Sequence, residues 1–401
     1  MTKTLFKLDN VIQNYVWGSK TAMGELFGIA NPDNQPQAEI WMGAHPNGCS
    51  KVAGSGESLA EIIAQDPHGV LGEYTAERFG ELPYLFKVLS AAKPLSVQVH
   101  PSKAKAMAGF AKENQQGIEL SAANRNYKDA NHKPELVYAL TFYKAMNGFR
   151  PVAEIVALFQ QAGIDTLRDE VDALSALPNE QGLAEFFSVV MNLTGERKQQ
   201  AIAELVARVE LPAKTALARE AFELIQEFSQ DFSQGNSDDI GLFSPLLLNV
   251  VELEPGEAMF LHAETPHAYV KGTGLEIMAN SDNVLRAGLT PKYMDVAELI
   301  ANTQFHSIAA DEIKLAPFCS GNKLGYPIPV DDFGFEIIAL DAEDKAQYVR
   351  GAEIIFCIEG QATLSCGSEF VTLAAGESAF VCNKAKVYQY HGVGTLARAF
   401  N

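Results

Sequence analysis

Four stretches between Pro151 and Ser237 place an apolar residue every three to four positions. Val152, Ile155, Val156 and Phe159 form one stripe, and Leu183, Phe186, Phe187 and Val190 a second. Ile202, Leu205, Val206 and Val209 form a third, and Leu217, Ala221, Leu224, Ile225 and Phe228 a fourth. This spacing follows the helical period and predicts a block of amphipathic helices whose stripes pack on one another. Proline, glycine and polar residues separate the stripes. The block contains neither His nor Cys, so its stripes are assigned to core and to no chemistry.

On both sides the pattern shortens to β-like runs broken by glycine and proline, such as PYLFKVLSAAKPLSVQVHP before the block and LEPGEAMFLHAETPHAYVKGTGLEIM after it. Many short strands with such turns predict a sandwich or barrel. Ser58 with Glu61 is the exception, a capping box that opens a helix through about Gln65. Gly256–Gly272, GEAMFLHAETPHAYVKG, is echoed at equal length by Gly376–Gly392, GESAFVCNKAKVYQYHG. Two copies of one β-unit are predicted. Where the first has His262 and His267 the second has Cys382 and Val387, so a metal, if bound, belongs to the first copy.

Composition narrows the function. The 401 residues carry 31 basic against 50 acidic side chains, a formal charge of −19, which argues against nucleic acid or an anionic membrane as partner. A hydrophobic fraction of 47% with 20% charged residues is enough for a sizeable core, in two or three domains at this length. The N-terminal segment has no uninterrupted apolar core of a signal peptide, and no apolar run is long enough to span a bilayer. Five cysteines with no CxxC pair do not form a disulfide framework, so a reducing cytoplasm is expected. The acidic surface favours solubility, and a monomer is expected.

Three polar clusters interrupt the β-like text. In LSVQVH, Leu95, Val97 and Val99 alternate with Ser96, Gln98 and His100, so one face is polar and either meets solvent or lines a cavity. In NYKDANHKPELVYAL, Lys133 and Glu135 share a face, with Pro134 confining the stretch to a strand start or edge. His132 falls on the opposite face. In the third, His267 and Tyr269 share a face, Glu276 follows, and the loop NSDNVLRAGLTPK gathers Asp282, Arg286 and Lys292. Two cations beside a His-bearing strand of so acidic a chain suit an anionic ligand. Gln98, His100, Glu135 and His267 together offer one amide oxygen, one carboxylate and two imidazoles, a donor set that suits zinc or another borderline divalent metal.

Five segments, QNYVWGS, AEIWMGAHPNGCS, PLSVQVHPSK, NHKPEL and PHAYVKG with EIMANSDNVLRAGLTPK, closely resemble type I mannose-6-phosphate isomerases in content and order. The resemblance runs to about Lys292; from about Pro317 the sequence is less diagnostic. It implies a mainly β chain with an inserted helical domain. A cupin (jelly-roll) catalytic domain is expected from 1–150 and 240–315, the helical insertion from 151–239 and a second, metal-free cupin-like domain from 316–401. The resemblance also implies one zinc ion per chain on Gln98, His100, Glu135 and His267, and Arg286 as the active-site arginine. Ser96, Lys133, Tyr269, Glu276, Asp282 and Lys292 fall on pocket positions, facing a phosphosugar.

The implied reaction moves a carbonyl between C1 and C2 of a hexose phosphate through a cis-enediol. Its costly species is an enediolate anion, which a Lewis acid and the fixed charge of Arg286 stabilise. The base is open among Lys133, Asp282, Glu276 and a water on the metal, and Lys133 is taken here as the proton-transfer residue. The phosphate anchor is open among Arg286, Lys292, Ser96 and Lys93. A cupin dioxygenase, which wants two His and a carboxylate facially arranged, fits Gln98 and a phosphate-binding loop poorly. A non-catalytic sugar-binding cupin would not need Glu135, Lys133 and Arg286 together.

Overall fold

A computed structural model describes residues 3–232 and 238–401, so Ser237, the expected end of the helical block, lies outside the described residues. The described chain forms two ten-stranded sheets joined by short connections, with a layer of helices inserted between strands of the first. Each sheet is organised by one long strand. His267–Ala279 pairs through its first residues with Val97–Val99 and Tyr143–Phe149 and through its second half with Tyr84–Ala91 and Glu135–Ala139. Val387–Phe400 does the same in the second sheet, first with Lys345–Tyr348 and later with Gly334–Leu340, while Glu353–Cys366 accompanies it throughout. A strand that changes partners part-way turns a corner, and this folds each sheet over its own core.

The corner explains the echoed glycines. Gly272 has φ of 121°, and a Cβ there would lie 2.5 Å from the Phe142 carbonyl oxygen. Gly392 has φ of 153°, and a Cβ there would lie 2.1 Å from the Gln361 carbonyl oxygen. Only glycine fits either crossing. The two echoed segments occupy matching places: Ala258–Leu261 leads into the strand opened by His267, and Ser378–Val381 into the strand opened by Val387. Repetition of one β-unit is therefore structural, and the metal-competent imidazole of one unit is a valine in the other.

The helical stripes are buried. Val152–Ala162, Glu180–Met191, Gly195–Val209 and Ala216–Phe232 are helices. Their stripe residues share one core with Val97, Val99, Met146, Val270 and Leu285 of the first sheet. The insertion is thus packed directly on the strands that carry the polar clusters. The Ser58 capping box forms, with helix Leu59–Gln65 behind it. Helix Lys103–Gln115 was not expected, because its buried positions are Ala106, Gly109 and Glu113 rather than an apolar stripe.

The start of the chain crosses from the segment 1–150 into the sheet of 316–401. Leu5–Asp9 pairs with Ser378–Val381 and with Lys51–Val52, so this strand belongs to the C-terminal sheet. Val11–Gln13, two residues on, pairs with Glu39–Met42 in the first sheet. One core cluster spans both sheets, joining Phe86, Val88 and Ile277 to Phe335, Phe356 and Phe380. All five cysteines are free, and among the described residues no helix is long and apolar enough to cross a membrane.

Candidate metal centre and cavity

Strand pairing brings the three polar clusters together. Gln98 lies opposite His267 on one side and opposite Arg286 on the other, while Glu135 pairs with Met278 of the long strand. Pro134 ends just where the strand starts, at Glu135. The polar face of LSVQVH lines a cavity rather than meeting solvent: Ser96 and Gln98 are in the wall of a cavity of about 1380 Å³. Asp282, Arg286, Lys292 and Lys93 are also in that wall.

His100, Glu135 and His267 converge on one point, with ligand atoms all within 4.8 Å of one another and each residue at most 1% exposed. His100 Nε2 is 3.3 Å from Glu135 Oε1, and His267 Nε2 is 3.6 Å from Glu135 Oε2. Donors about 2.1 Å from a tetrahedral metal lie about 3.4 Å apart, so these separations fit a zinc-sized ion. The imidazoles are oriented for it. His100 Nδ1 donates to the Asn283 carbonyl at 2.7 Å and His267 Nδ1 to the Thr265 carbonyl at 2.9 Å, because a carbonyl can only accept. Both Nε2 lone pairs therefore face the cluster, and neither Nε2 has a hydrogen-bond partner despite full burial. Two buried, aimed and unsatisfied acceptors are costly unless a cation completes them. Gln98, only 8% exposed, lies opposite His267 in the sheet and is the expected fourth donor.

The electrostatics keep the donors in ligating form. Burial, reinforced by Lys133, pulls His100 down to about 4, so it is neutral at pH 7. Burial pushes Glu135 up, but Lys133 and His100 outweigh it and hold the carboxyl well below its usual range. In metal-free protein the His100 shift carries a stability signature. An unfolded His titrates near 6.5 and the folded one lower, so the contribution is complete above pH 6.5 and is lost as pH falls from 6.5 through about 4. We expect the urea midpoint of metal-stripped protein to fall across that window, and His100→Gln to lack this component. Equal pH slopes for the two proteins would contradict it.

Lys133 Nζ lies 2.8 Å from Glu135 Oε1, so the candidate proton carrier touches a candidate ligand. Tyr269 and Glu276, expected to meet substrate, lie behind the cavity wall, as do Lys133 and the three converging residues His100, Glu135 and His267. The Tyr269 hydroxyl instead donates to Glu135 Oε2 at 3.0 Å, fixing the carboxylate from behind. Glu276 is buried and pairs with Lys87 at 2.8 Å. His132 faces Asp332 of the C-terminal region at 3.0 Å.

Several residues of the site escaped sequence reasoning. Lys87 also lies 3.7 Å from Glu39, whose carboxylate accepts from Trp41 Nε1 at 2.7 Å. Burial pushes Lys87 down, yet Glu276 and Glu39 together raise it above the ordinary lysine value. A lone lysine inside PYLFKVLSA was the available signal, since buried lysines need partners. His45 and Asn47 hold Asp282 at 3.4 and 3.1 Å, and His45 is the main reason that carboxyl titrates low. Asn283, fully buried, binds the segment before Lys133 through Asp129 and Asn131.

A folded-over β module with a buried His–Glu–His cluster beside a cation-lined cavity is a metal-binding cupin. The type I phosphomannose isomerase models match this chain in three parts: the catalytic domain over 5–152, the helical insertion domain over 160–248 and, as a mannose-6-phosphate isomerase cupin domain, 322–401. The chain belongs to the type I phosphomannose isomerase family. It is 50% identical over 398 residues to a mannose-6-phosphate isomerase of Escherichia coli, covering 98% of this chain and 99% of that one. A mannose-6-phosphate isomerase of Rattus norvegicus is 34% identical over 394 residues, covering 90% and 88%. Among solved structures, the apo form of the Salmonella typhimurium enzyme superposes with a TM-score of 0.92 at 49% identity over 100% of both chains. A zinc-bound mannose 6-phosphate isomerase matches with the same TM-score, identity and coverage.

Proposed function

We propose that this protein interconverts mannose 6-phosphate and fructose 6-phosphate, using one zinc ion held by Gln98, His100, Glu135 and His267. The observation that carries the reading is the pair of buried, unsatisfied imidazole nitrogens facing Glu135 beside a cavity walled by cations. When bound, zinc supplies Lewis-acid stabilisation of the negative charge that develops on the sugar oxygens.

The chain's own residues do the rest. Arg286, opposite Gln98 in the sheet and in the same cavity wall, supplies a guanidinium whose half-burial makes its charge more effective than in water. Lys292 adds a second cation for the phosphate, with Ser96 and Lys93 in the same wall. Once its own proton has passed to solvent, the Lys133 amine takes the proton from C2 of the aldose and, as the ammonium, returns it to C1, while the O2 hydroxyl proton passes to O1, through the cis-enediol. Tyr269 and Asn283 keep Glu135 and His100 in place while this happens. Lys133→Met is expected to lower kcat by about 10²- to 10⁴-fold with zinc content retained. Full turnover in that variant would remove Lys133 from proton transfer.

The reading extends to the whole chain. The zinc cupin is drawn from 1–150 and 240–315, less the strands Leu5–Asp9 and Lys51–Val52 that extend the other sheet; 151–239 is the helical insertion and 316–401 the metal-free cupin. A monomeric, cytoplasmic enzyme fits an acidic chain whose cysteines are all free. Its direct test is NMR of mannose 6-phosphate incubated with the protein in D2O. Fructose 6-phosphate should appear with solvent deuterium at the exchanged carbon, and an unchanged spectrum would refute the assignment.

A further inference from the structure

We propose that Lys128 is a phosphate-binding residue of this site, held ready by a loop built to present it. The inference rests on the isomerase reading above and adds to it a residue that determines specificity for a phosphate monoester. Lys128 lines the same cavity as Arg286 and Lys292. Among the described residues none of these three cations forms an ion pair, in a chain with 50 acidic side chains. Burial, followed by nearby cations that include Arg286, lowers Lys128, and burial with Arg286 lowers Lys292. Three mutually repelling, unpaired cations around one cavity are stable only at a cost, and a dianion would offset it.

The backbone under Lys128 is fixed from both sides. Upstream, the Glu113 carboxylate accepts from the Asn126 and Tyr127 amides at 3.0 and 2.9 Å and pairs with Arg125 at 2.9 Å. Arg125 in turn donates to the carbonyls of Tyr127 and Ile118. Downstream, the Lys128 amide donates to Asn283 Oδ1 at 2.7 Å. The carbonyl of that same Asn283 orients the candidate zinc ligand His100. One buried asparagine therefore sets Lys128 and the metal ligand in register, which is the preorganisation a two-point grip on a sugar phosphate requires.

The ammonium is also held. Lys128 Nζ donates to the Leu120 carbonyl at 2.6 Å and, at 3.5 Å, to that of Ala122. An ammonium has three donors, so one remains for an anion in the cavity that Leu120 and Ser121 also line. Arg286 lies opposite Gln98 in the sheet, toward the reacting end, and Lys128 joins Lys292, Lys93 and Ser96 in the wall that remains for the phosphate.

Zinc-loaded wild type, Lys128→Met and Lys128→Arg should be compared by calorimetric titration with inorganic phosphate and by mannose 6-phosphate kinetics. Lys128→Met should weaken phosphate binding about tenfold or more, with kcat/KM falling chiefly through KM, and Lys128→Arg should recover most of the loss. Zinc content per chain should not change, a readout that a loop loosened at Asn283, which orients His100, would move. Unaltered phosphate affinity in Lys128→Met of wild-type melting temperature would overturn the proposal; should Lys128→Met not fold, Lys128→Gln carries the same titration. Phosphate binding that depends on Lys128 in a protein that never turns over mannose 6-phosphate would leave this proposal standing and overturn the isomerase reading instead.

Discussion

Glu135→Gln is expected to abolish stoichiometric zinc and to lower turnover by on the order of 10³-fold. The substitution keeps the side-chain volume, so the strand and its neighbours stay packed. What it removes is the one negative charge among the candidate ligands, in a pocket where His100, Glu135 and His267 are at most 1% exposed. With the carboxylate gone, the Lys133 ammonium 2.8 Å away loses its counter-ion and adds to the repulsion against a divalent cation. The Tyr269 hydroxyl loses an ionised acceptor at 3.0 Å. Both changes weaken metal binding beyond the loss of the ligand itself. Zinc analysis beside the rate measurement checks the result, and a Glu135→Gln protein with full zinc and near wild-type kcat would contradict the metal centre described here.

Lys87→Met is expected to cost about 3–5 kcal/mol of stability, read as a lower urea midpoint with an unchanged slope. Lys87 is 5% exposed and lies between Glu276 and Glu39, both buried. Removing the cation leaves two carboxylates facing each other near a third, Glu135. Burial already raises Glu276, and Lys87 is the main group opposing that rise. Protonation would relieve part of the strain, so the deficit should shrink at acidic pH. Adding Glu276→Gln to Lys87→Met should restore a good part of the loss, since taking out both ends of a buried pair costs less than taking out one. A single variant within about 1 kcal/mol of wild type would show that the triad is solvated in solution.

What was legible in the sequence was what lies close along the chain or repeats. The helical block was readable because Leu183, Phe186, Phe187 and Val190 and their counterparts keep one period. The converging donors His100, Glu135 and His267 were readable because the segments that carry them resemble one family in content and order. The echo located the metal-competent unit, since His267 and Val387 open equivalent strands. Features that depend on which strands pair were not readable. The crossing of Leu5–Asp9 to the C-terminal sheet joins residues more than 360 positions apart in pairs such as Phe6 with Phe380. The Lys87–Glu276 contact joins residues 189 apart for the same reason. For Tyr269, alternation tells direction, and only packing tells that its hydroxyl ends on Glu135. Asn283 carried no signal at all, because its role is divided between a carbonyl that orients His100 and a side-chain amide that holds the segment from Lys128 to Asn131.

The measurement that bears most directly on the account is a coupled assay of mannose 6-phosphate to fructose 6-phosphate, run on the protein as purified, after chelation and after zinc is returned. Turnover that disappears with the chelator and comes back with about one zinc per chain is the expected result. A folded, zinc-loaded sample without turnover would contradict it, as would turnover that survives complete removal of the metal.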